Sequence, residues 1–570
     1  MTMDNTIQDL GKVISSSTLD KTVIRLKGNI PIEQLELGQY ITILGEKKLY
    51  IGKIVNLFSQ EFTKGIADQT LQYGELRELG LEAGSIPVNL EGGHWGYRAE
   101  IEILKAIEIL EDKNTIKEPQ TIPPIFSPLR GTTAEDIDLL YTKEVDKYVQ
   151  IGILRGIASE EVPVKIILDQ LVSLHGAIFA KTGSGKTYLG LILAGHVTRS
   201  EKTSALIFDM HSEYGYGPIG LKKYFNNNIA VMGLELAPQA TGKGKIDESI
   251  EIPSSDLTFS DLEMAIPLTE PQRRIMYIIQ NRFGPEWLEI ILAMNKNSAG
   301  SSANDEADQE STFDFSDMTI EDWIETLPES QKPHEGALRA LLQKLEKFLE
   351  DLPFILPKEK TQKNSLERIL QLLQAGTSVV INFGRFANDT KVYAFVTNVI
   401  SRRLLELYQE KFRGKPTNEI PIKVLIMLEE AHKFLNKDLL ASSFFGRFVR
   451  EARKFNLGLL IIDQRPSQIH EEVLSQIGTM FIMQLSNAKD RKIISEQSEE
   501  SMEDFETEVK RLNNREFIAI GRACDFVMSG ETTLYEPKNL QKIWNLENFD
   551  RKTQKTVTGK KLKEGPPGGF

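Results

Sequence analysis

The feature that most constrains the fold is Ala180-Lys181-Thr182-Gly183-Ser184-Gly185-Lys186-Thr187, set between the apolar run His175 to Phe179 and an apolar helical stretch. Strand, glycine-bearing loop and helix in this order make the setting of a phosphate-binding loop. The glycines let successive backbone N–H groups turn toward the phosphates, and the start of the helix adds a favourable field for anions. Lys186 is then placed for the β- and γ-phosphates and the Thr187 hydroxyl for Mg2+. Thr182, Gly183, Ser184, Gly185, Lys186 and Thr187 are therefore the expected ATP-binding residues. Ala180 stands where a first glycine is usual; its methyl narrows the backbone angles allowed there but adds little bulk, so nucleotide binding is expected to survive.

A loop of this kind needs an acidic partner at the end of a neighbouring strand. Val424-Leu425-Ile426-Met427-Leu428-Glu429-Glu430 supplies two carboxylates after an apolar run. Glu429 is expected to hold the metal through water, and Glu430 to act as general base toward the water that attacks the γ-phosphate. The first acid of such a pair is usually aspartate; glutamate is one methylene longer. Asp209, in Asp209-Met210-His211-Ser212-Glu213-Tyr214, follows a third apolar run and reads either as part of the nucleotide site or as an ordinary strand end. Gln464, directly after Leu459-Leu460-Ile461-Ile462-Asp463, is expected to sense the γ-phosphate through its amide. Arg450 and Arg453 fall three apart on a helical stretch, Phe448 to Lys454, where they serve either in surface ion pairs or as a finger toward a neighbouring subunit's nucleotide.

Around these motifs the chain divides by pattern. Residues 1–110 alternate apolar and polar in short runs, such as Thr22 to Leu26 and Tyr40 to Leu44, which predicts a small β-barrel or sandwich. Pro119, Pro123, Pro124 and Pro128 mark 111–150 as a linker. From 151 to 250 and again from 376 to 540, apolar strand-like runs alternate with helical stretches, the grammar of an α/β domain with a mostly parallel sheet. Helical patterns dominate 251–375, opening with the capping box Thr269-Glu270-Pro271-Gln272 and containing an acidic, Ser- and Asn-rich stretch, Asn295 to Thr312, expected to be mobile. The tail, 541–570, is basic and expected to be disordered.

Composition removes several function classes. With 570 residues the length predicts about three to five compact units. No apolar run approaches the roughly 18 residues of a membrane-spanning helix, and the N-terminus carries no signal-peptide pattern, so a cytoplasmic protein without membrane attachment is expected. The seven His and single Cys are scattered, without zinc-ligand spacing. A net charge of −13 argues against coating nucleic acid with the outer surface, while leaving room for a locally basic channel. Gly242-Lys243-Gly244-Lys245 reads either as a DNA-contacting loop or as a solvent-exposed hairpin.

Taken in order, Leu174-His175-Gly176 leading into KTGSGKT, then DMHSEY, LEEAHKFL, REARKFNLGL, DQRPSQI and SNAKDRKII resemble the HerA family of hexameric DNA translocases and helicases across residues 150–530. The resemblance implies a RecA-like P-loop ATPase core, with an N-terminal barrel of the kind shared with rotary ATP synthases. It also implies ATP and Mg2+ as cofactors, a homohexameric ring, and duplex DNA in a central channel. It matches Glu429 and Glu430 to the family's acidic pair, Gln464 to its sensor glutamine, and Arg450 or Arg453 to its interface arginine. Family members work with separate effectors, a nuclease in end resection or a nuclease or NAD-consuming enzyme in antiphage defence. The alternative is a ring scaffold that uses nucleotide to assemble and activate an effector without moving DNA.

Overall fold

The computed structural model describes residues 9–546 except 18–20, 28–29, 31, 62–94, 109–114, 118–119, 142–146, 158–160, 235–243, 299–317, 358–359, 362–363, 414–420, 441–443 and 499–501. Of the tail 541–570, expected to be disordered, residues from 547 onward lie outside the described residues; its first residues instead complete the helix Pro537–Ile543, and Trp544 is buried. Gly242-Lys243 and most of the acidic stretch also lie outside the described residues. Asn295 to Ser298, the start of that stretch, form the last turn of the helix Trp287–Ser298. Contacts divide the chain into two compact units, fewer than its length suggests: residues 1–171, 177–192 and 478–570, and residues 172–176 and 193–477.

The first unit opens with β1 (Asp9–Ser15), β2 (Thr22–Leu26), β3 (Tyr40–Leu44), β4 (Lys48–Glu61), β5 (Trp95–Glu108), β6 (Thr115–Lys117) and β7 (Pro128–Gly131). They run in the order β2-β1-β7-β3-β4-β5-β6, and an added β2–β5 pairing closes a barrel. Alternation decides which side chains enter it: Ile24 and Leu26 of β2, Ile41 and Ile43 of β3, and Ala99 and Ile101 of β5 share one core with Val13, Ile54 and Leu129. The expected linker therefore contributes structure, and the barrel reaches Gly131 rather than ending at 110. Pro128 opens β7 opposite Lys12, a strand start being a place where a missing N–H is tolerated.

Beyond the barrel a series of antiparallel pairings follows. Pro163–Ile167 pairs with Tyr148–Leu154, which pairs in turn with Met528–Thr532. Glu516–Gly521 and Thr479–Ile482 extend the series, and Gly176–Phe179 follows Thr479–Ile482 in the sheet. The barrel is fixed to these strands by polar contacts: the Tyr40 hydroxyl accepts from the Ser529 N–H at 2.7 Å and donates to the Val527 carbonyl at 3.3 Å. Lys53, 2% exposed, lies 3.4 Å from each of Glu102 and Glu508, so its charge is paired where water is scarce.

The second unit is built on parallel strands in the order Glu248–Ser249, Ile229–Gly233, Ser378–Asn382, Thr203–Asp209, Lys423–Glu429 and Leu457–Asp463. Every residue of Thr203–Asp209, Ser378–Asn382 and Leu457–Asp463 is buried, as expected for parallel strands covered on both faces. Ser378–Asn382, Thr203–Asp209, Lys423–Glu429 and Leu457–Asp463 come from apolar runs that the sequence marks. Their C-terminal ends deliver Asp209, Asn382, Glu429 and Asp463. Residues 251–375 are mainly helical, and the helix Glu270–Phe283 starts at the anticipated capping box, with the Thr269 N–H donating to Gln272 Oε1 at 3.0 Å. A buried pair, Arg402 with Asp261 at 2.8 Å, ties the helix Thr390–Arg413 to Phe259–Ala265.

His175 also braces this unit. Its Nδ1 accepts the Leu459 N–H at 3.0 Å, which leaves Nε2, 3.0 Å from the Val449 carbonyl, as the protonated nitrogen. Burial, and secondarily the charge of Arg453, pull the imidazole down to about 4, against the hydrogen bond to Val449. The folded chain therefore binds fewer protons here than the unfolded chain between pH 6.5 and 4, and stability falls as pH drops through that window. About 3 kcal/mol is expected to be lost to this group, and urea unfolding of His175→Gln should show a flatter acid limb than the wild type.

Candidate functional site

The phosphate-loop residues belong to the first unit. Two glycines give the loop its shape: Gly183 and Gly185 sit at φ +81° and +102°, angles that side chains rarely adopt. Ala180 is buried and is not among the residues with positive φ, so an alanine fits where glycine is usual. The loop is braced from outside, Lys181 N–H donating to the Gln484 carbonyl at 2.9 Å and Arg515 N–H to the Ser184 carbonyl at 2.9 Å. Ser184 Oγ turns back to the Lys181 carbonyl at 2.7 Å. The helix Lys186–Arg199 follows, with Lys186 and Thr187 in its first turn. Sequence reading missed Arg515, which is itself left-handed at φ +71° and ion-paired with Glu531. Only its own backbone bond to the loop reveals it, and no local pattern announces that.

The acidic residues Glu429 and Glu430 belong to the second unit. Glu429 ends its strand 3% exposed, accepts from the Tyr214 hydroxyl at 3.3 Å, and its carbonyl accepts from Tyr393 at 2.9 Å. Burial, and then the charge of Glu429, hold the Tyr214 phenol well above its usual range, so it remains a donor. Glu430 leaves the strand in the left-handed conformation, φ +49°, its N–H bonded to the Ile462 carbonyl at 2.9 Å. For a glutamate that backbone is a strained state, kept only where surroundings enforce it. Its Oε1 accepts from the Gln464 amide at 2.5 Å, so the expected base and the expected sensor are brought together.

Beside them is a pair the sequence reading did not assign. His432 Nδ1 lies 3.0 Å from both oxygens of fully buried Asp463 and 3.6 Å from Glu430 Oε2. These three side chains bring potential ligand atoms within 4.8 Å of one another. Asp463 also accepts the N–H groups of His432 and Arg465, each at 2.7 Å, so the set acts as a hydrogen-bonded brace for the turn that carries Glu430. The DQR signature was visible; its partner thirty-one positions earlier was not.

Asp209 is spent locally. Its oxygens accept the N–H groups of Glu213 and Tyr214 at 2.9 and 2.8 Å, shaping the DMHSEY turn. Burial pushes its carboxyl up to about 6 against the pull of those bonds and of Gly215. Arg450, 55% exposed, is ion-paired with Glu472, while Arg453 is half-buried and hydrogen-bonded to Gln476. The α-helix ends at Glu451, and Arg453 lies in the 3₁₀ turn after it. Of the basic loop, Lys245 is described, its ammonium 4.8 Å from the centre of the Tyr216 ring. The Thr187 hydroxyl and the Glu429 carboxylate are each hard oxygen donors of the type that magnesium takes.

The family model "Helicase HerA, central domain" matches residues 149–404. The chain is similar to the DNA double-strand break repair helicase HerA of Sulfurisphaera tokodaii, 25% identical over 90% of each chain. It is likewise 25% identical to the protein of the same name from Saccharolobus solfataricus, over 93% of each. Among solved structures, the bacterial conjugative coupling protein TrwB aligns with TM-score 0.44 and 13% identity, covering 71% of this chain and 92% of that one. VirB4 of Thermoanaerobacter pseudethanolicus gives 0.39 and 14%, over 69% and 98%. Among the described residues, no helix is long and apolar enough to cross a membrane.

Proposed function

We propose that this chain, matched by the HerA central-domain model over residues 149–404, is a HerA-type ATP-driven DNA translocase that works as a ring of six with duplex DNA in its channel. The observation that carries the reading is Glu430, held in a strained backbone state at a strand end and hydrogen-bonded to Gln464 at 2.5 Å. A solvated strand-end carboxylate needs neither the strain nor the partner.

In this reading the loop N–H groups of 183–187 and Lys186 bind the phosphates. Magnesium, held by Thr187 and by Glu429, would supply charge neutralisation on the β- and γ-phosphates when bound. Glu430 orients the attacking water and accepts its proton at a carboxylate oxygen. Gln464, bonded to that carboxylate, reports whether the γ-phosphate is present. Tyr214 holds Glu429 in place, and the Asp463–His432 pair fixes the turn. An arginine of the neighbouring subunit, Arg450 or Arg453, completes the charge stabilisation.

The reading extends to a separate effector, a nuclease or an NAD-consuming enzyme, acting in DNA end processing or antiphage defence. It is supported by the likeness to DNA double-strand break repair helicases. The test is steady-state ATP hydrolysis with and without linear duplex DNA at two salt concentrations. Stimulation by DNA that weakens as salt rises is expected, because phosphate contacts release counterions. Turnover indifferent to DNA would sink the motor and leave the ring scaffold that activates an effector.

A further inference from the structure

The first N–H groups of the helix Lys186–Arg199 have no carbonyl within the helix to bond, so the phosphate chain of a nucleotide ends there. The ribose and base must continue past that point. Tyr188, the residue after Thr187, lies in the same first turn and is 39% exposed. Its ring packs on Tyr535, with centroids 5.5 Å apart and planes 34° apart. Tyr535 meets Trp544 edge-on, with centroids 6.2 Å apart and planes 79° apart. Trp544 is fully buried, and its Nε1–H donates to the Ile192 carbonyl at 3.2 Å.

The three rings form a chain anchored at both ends to the helix that carries Lys186 and Thr187, since Ile192 and Tyr188 belong to that helix. Leu534, 47% exposed, directly precedes Tyr535 in the chain. Exposed aromatic and aliphatic side chains that share a location mark a binding surface more often than a lone exposed residue does. Here the neighbouring phosphate loop fixes what arrives.

We propose that Tyr188 and Tyr535 form the platform on which the purine base of the bound nucleotide stacks. The proposal rests on the ATPase reading and adds to it a base subsite. Stacking uses the π face common to adenine and guanine, so the platform holds the base without choosing between the two. Trp544 acts as a positioning residue, keeping Tyr535 against the helix.

The test is calorimetric titration of the full chain, with Mg2+, using the non-hydrolysable ATP analogue AMP-PNP and inorganic tripolyphosphate, which has the phosphates but no base. Tyr188→Leu and Tyr535→Leu keep apolar bulk but lose the ring, and each is expected to weaken AMP-PNP binding roughly ten- to hundred-fold. Tyr188→Phe and Tyr535→Phe keep the ring and should bind AMP-PNP like wild type. Tripolyphosphate should bind all five proteins alike. The platform is overturned if the Leu variants bind AMP-PNP as wild type does, if Phe and Leu variants weaken it equally, or if tripolyphosphate weakens in parallel. Failure of the wild type itself to bind AMP-PNP would overturn the ATPase reading beneath it.

Discussion

Replacing Glu430 by glutamine is expected to lower kcat for ATP hydrolysis roughly a hundred- to ten-thousand-fold, with nucleotide binding retained. The substitution is nearly isosteric, and a glutamine oxygen can still accept from the Gln464 amide that now bonds Glu430 Oε1 at 2.5 Å. The backbone bond from position 430 to the Ile462 carbonyl and the left-handed turn do not depend on the carboxylate charge. What disappears is the ability to take a proton from the attacking water. A fall in kcat with KM nearly unchanged is the signature of an interaction made in the transition state alone. Single-turnover hydrolysis in preformed complexes, alongside unfolding of the same protein, separates this outcome from collapse of the turn. Hydrolysis within about threefold of wild type would remove Glu430 as the base and turn attention to a ring that merely binds nucleotide.

How far the sequence foretells this depends on how local each feature is. The phosphate loop lies in eight consecutive residues whose glycine angles follow from the residues themselves, so it could be read directly. The strands ending at Asp209, Asn382, Glu429 and Asp463 were legible because burial on both faces forces unbroken apolar runs. The cap at Thr269 was legible because donor and acceptor are three residues apart. By contrast β7 is four residues beginning with proline, too short to show a period, and becomes a strand through its pairings with β1 and β3. The Asp463–His432 brace, the Arg515 support under Ser184 and the Tyr188–Tyr535 contact join residues from 31 to 347 positions apart. Such pairs are created by the fold, and no window along the chain contains both partners.

Arg450 is expected to be the residue that acts across subunits, and Arg450→Ala to lower kcat about a thousand- to hundred-thousand-fold in assembled rings. Its guanidinium is 55% exposed and engaged with Glu472, itself 38% exposed, in a surface pair of the kind that contributes little stability and exchanges readily. Arg453 is differently placed: half-buried, bonded to Gln476, and close enough to buried His175 to depress its protonation. Removing Arg453 should therefore disturb the packing under Leu457–Asp463 and show first as lost stability. The decisive measurement mixes two inactive proteins. In rings assembled from Arg450→Ala and Glu430→Gln subunits, an intact Arg450 from one subunit can face an intact Glu430 in the next. Activity should then exceed that of either variant alone. If mixing restores nothing while mixed rings form, Arg450 acts within its own subunit or not at all, and if Arg453→Ala restores activity in the same mixture instead, the assignment between the two arginines is reversed.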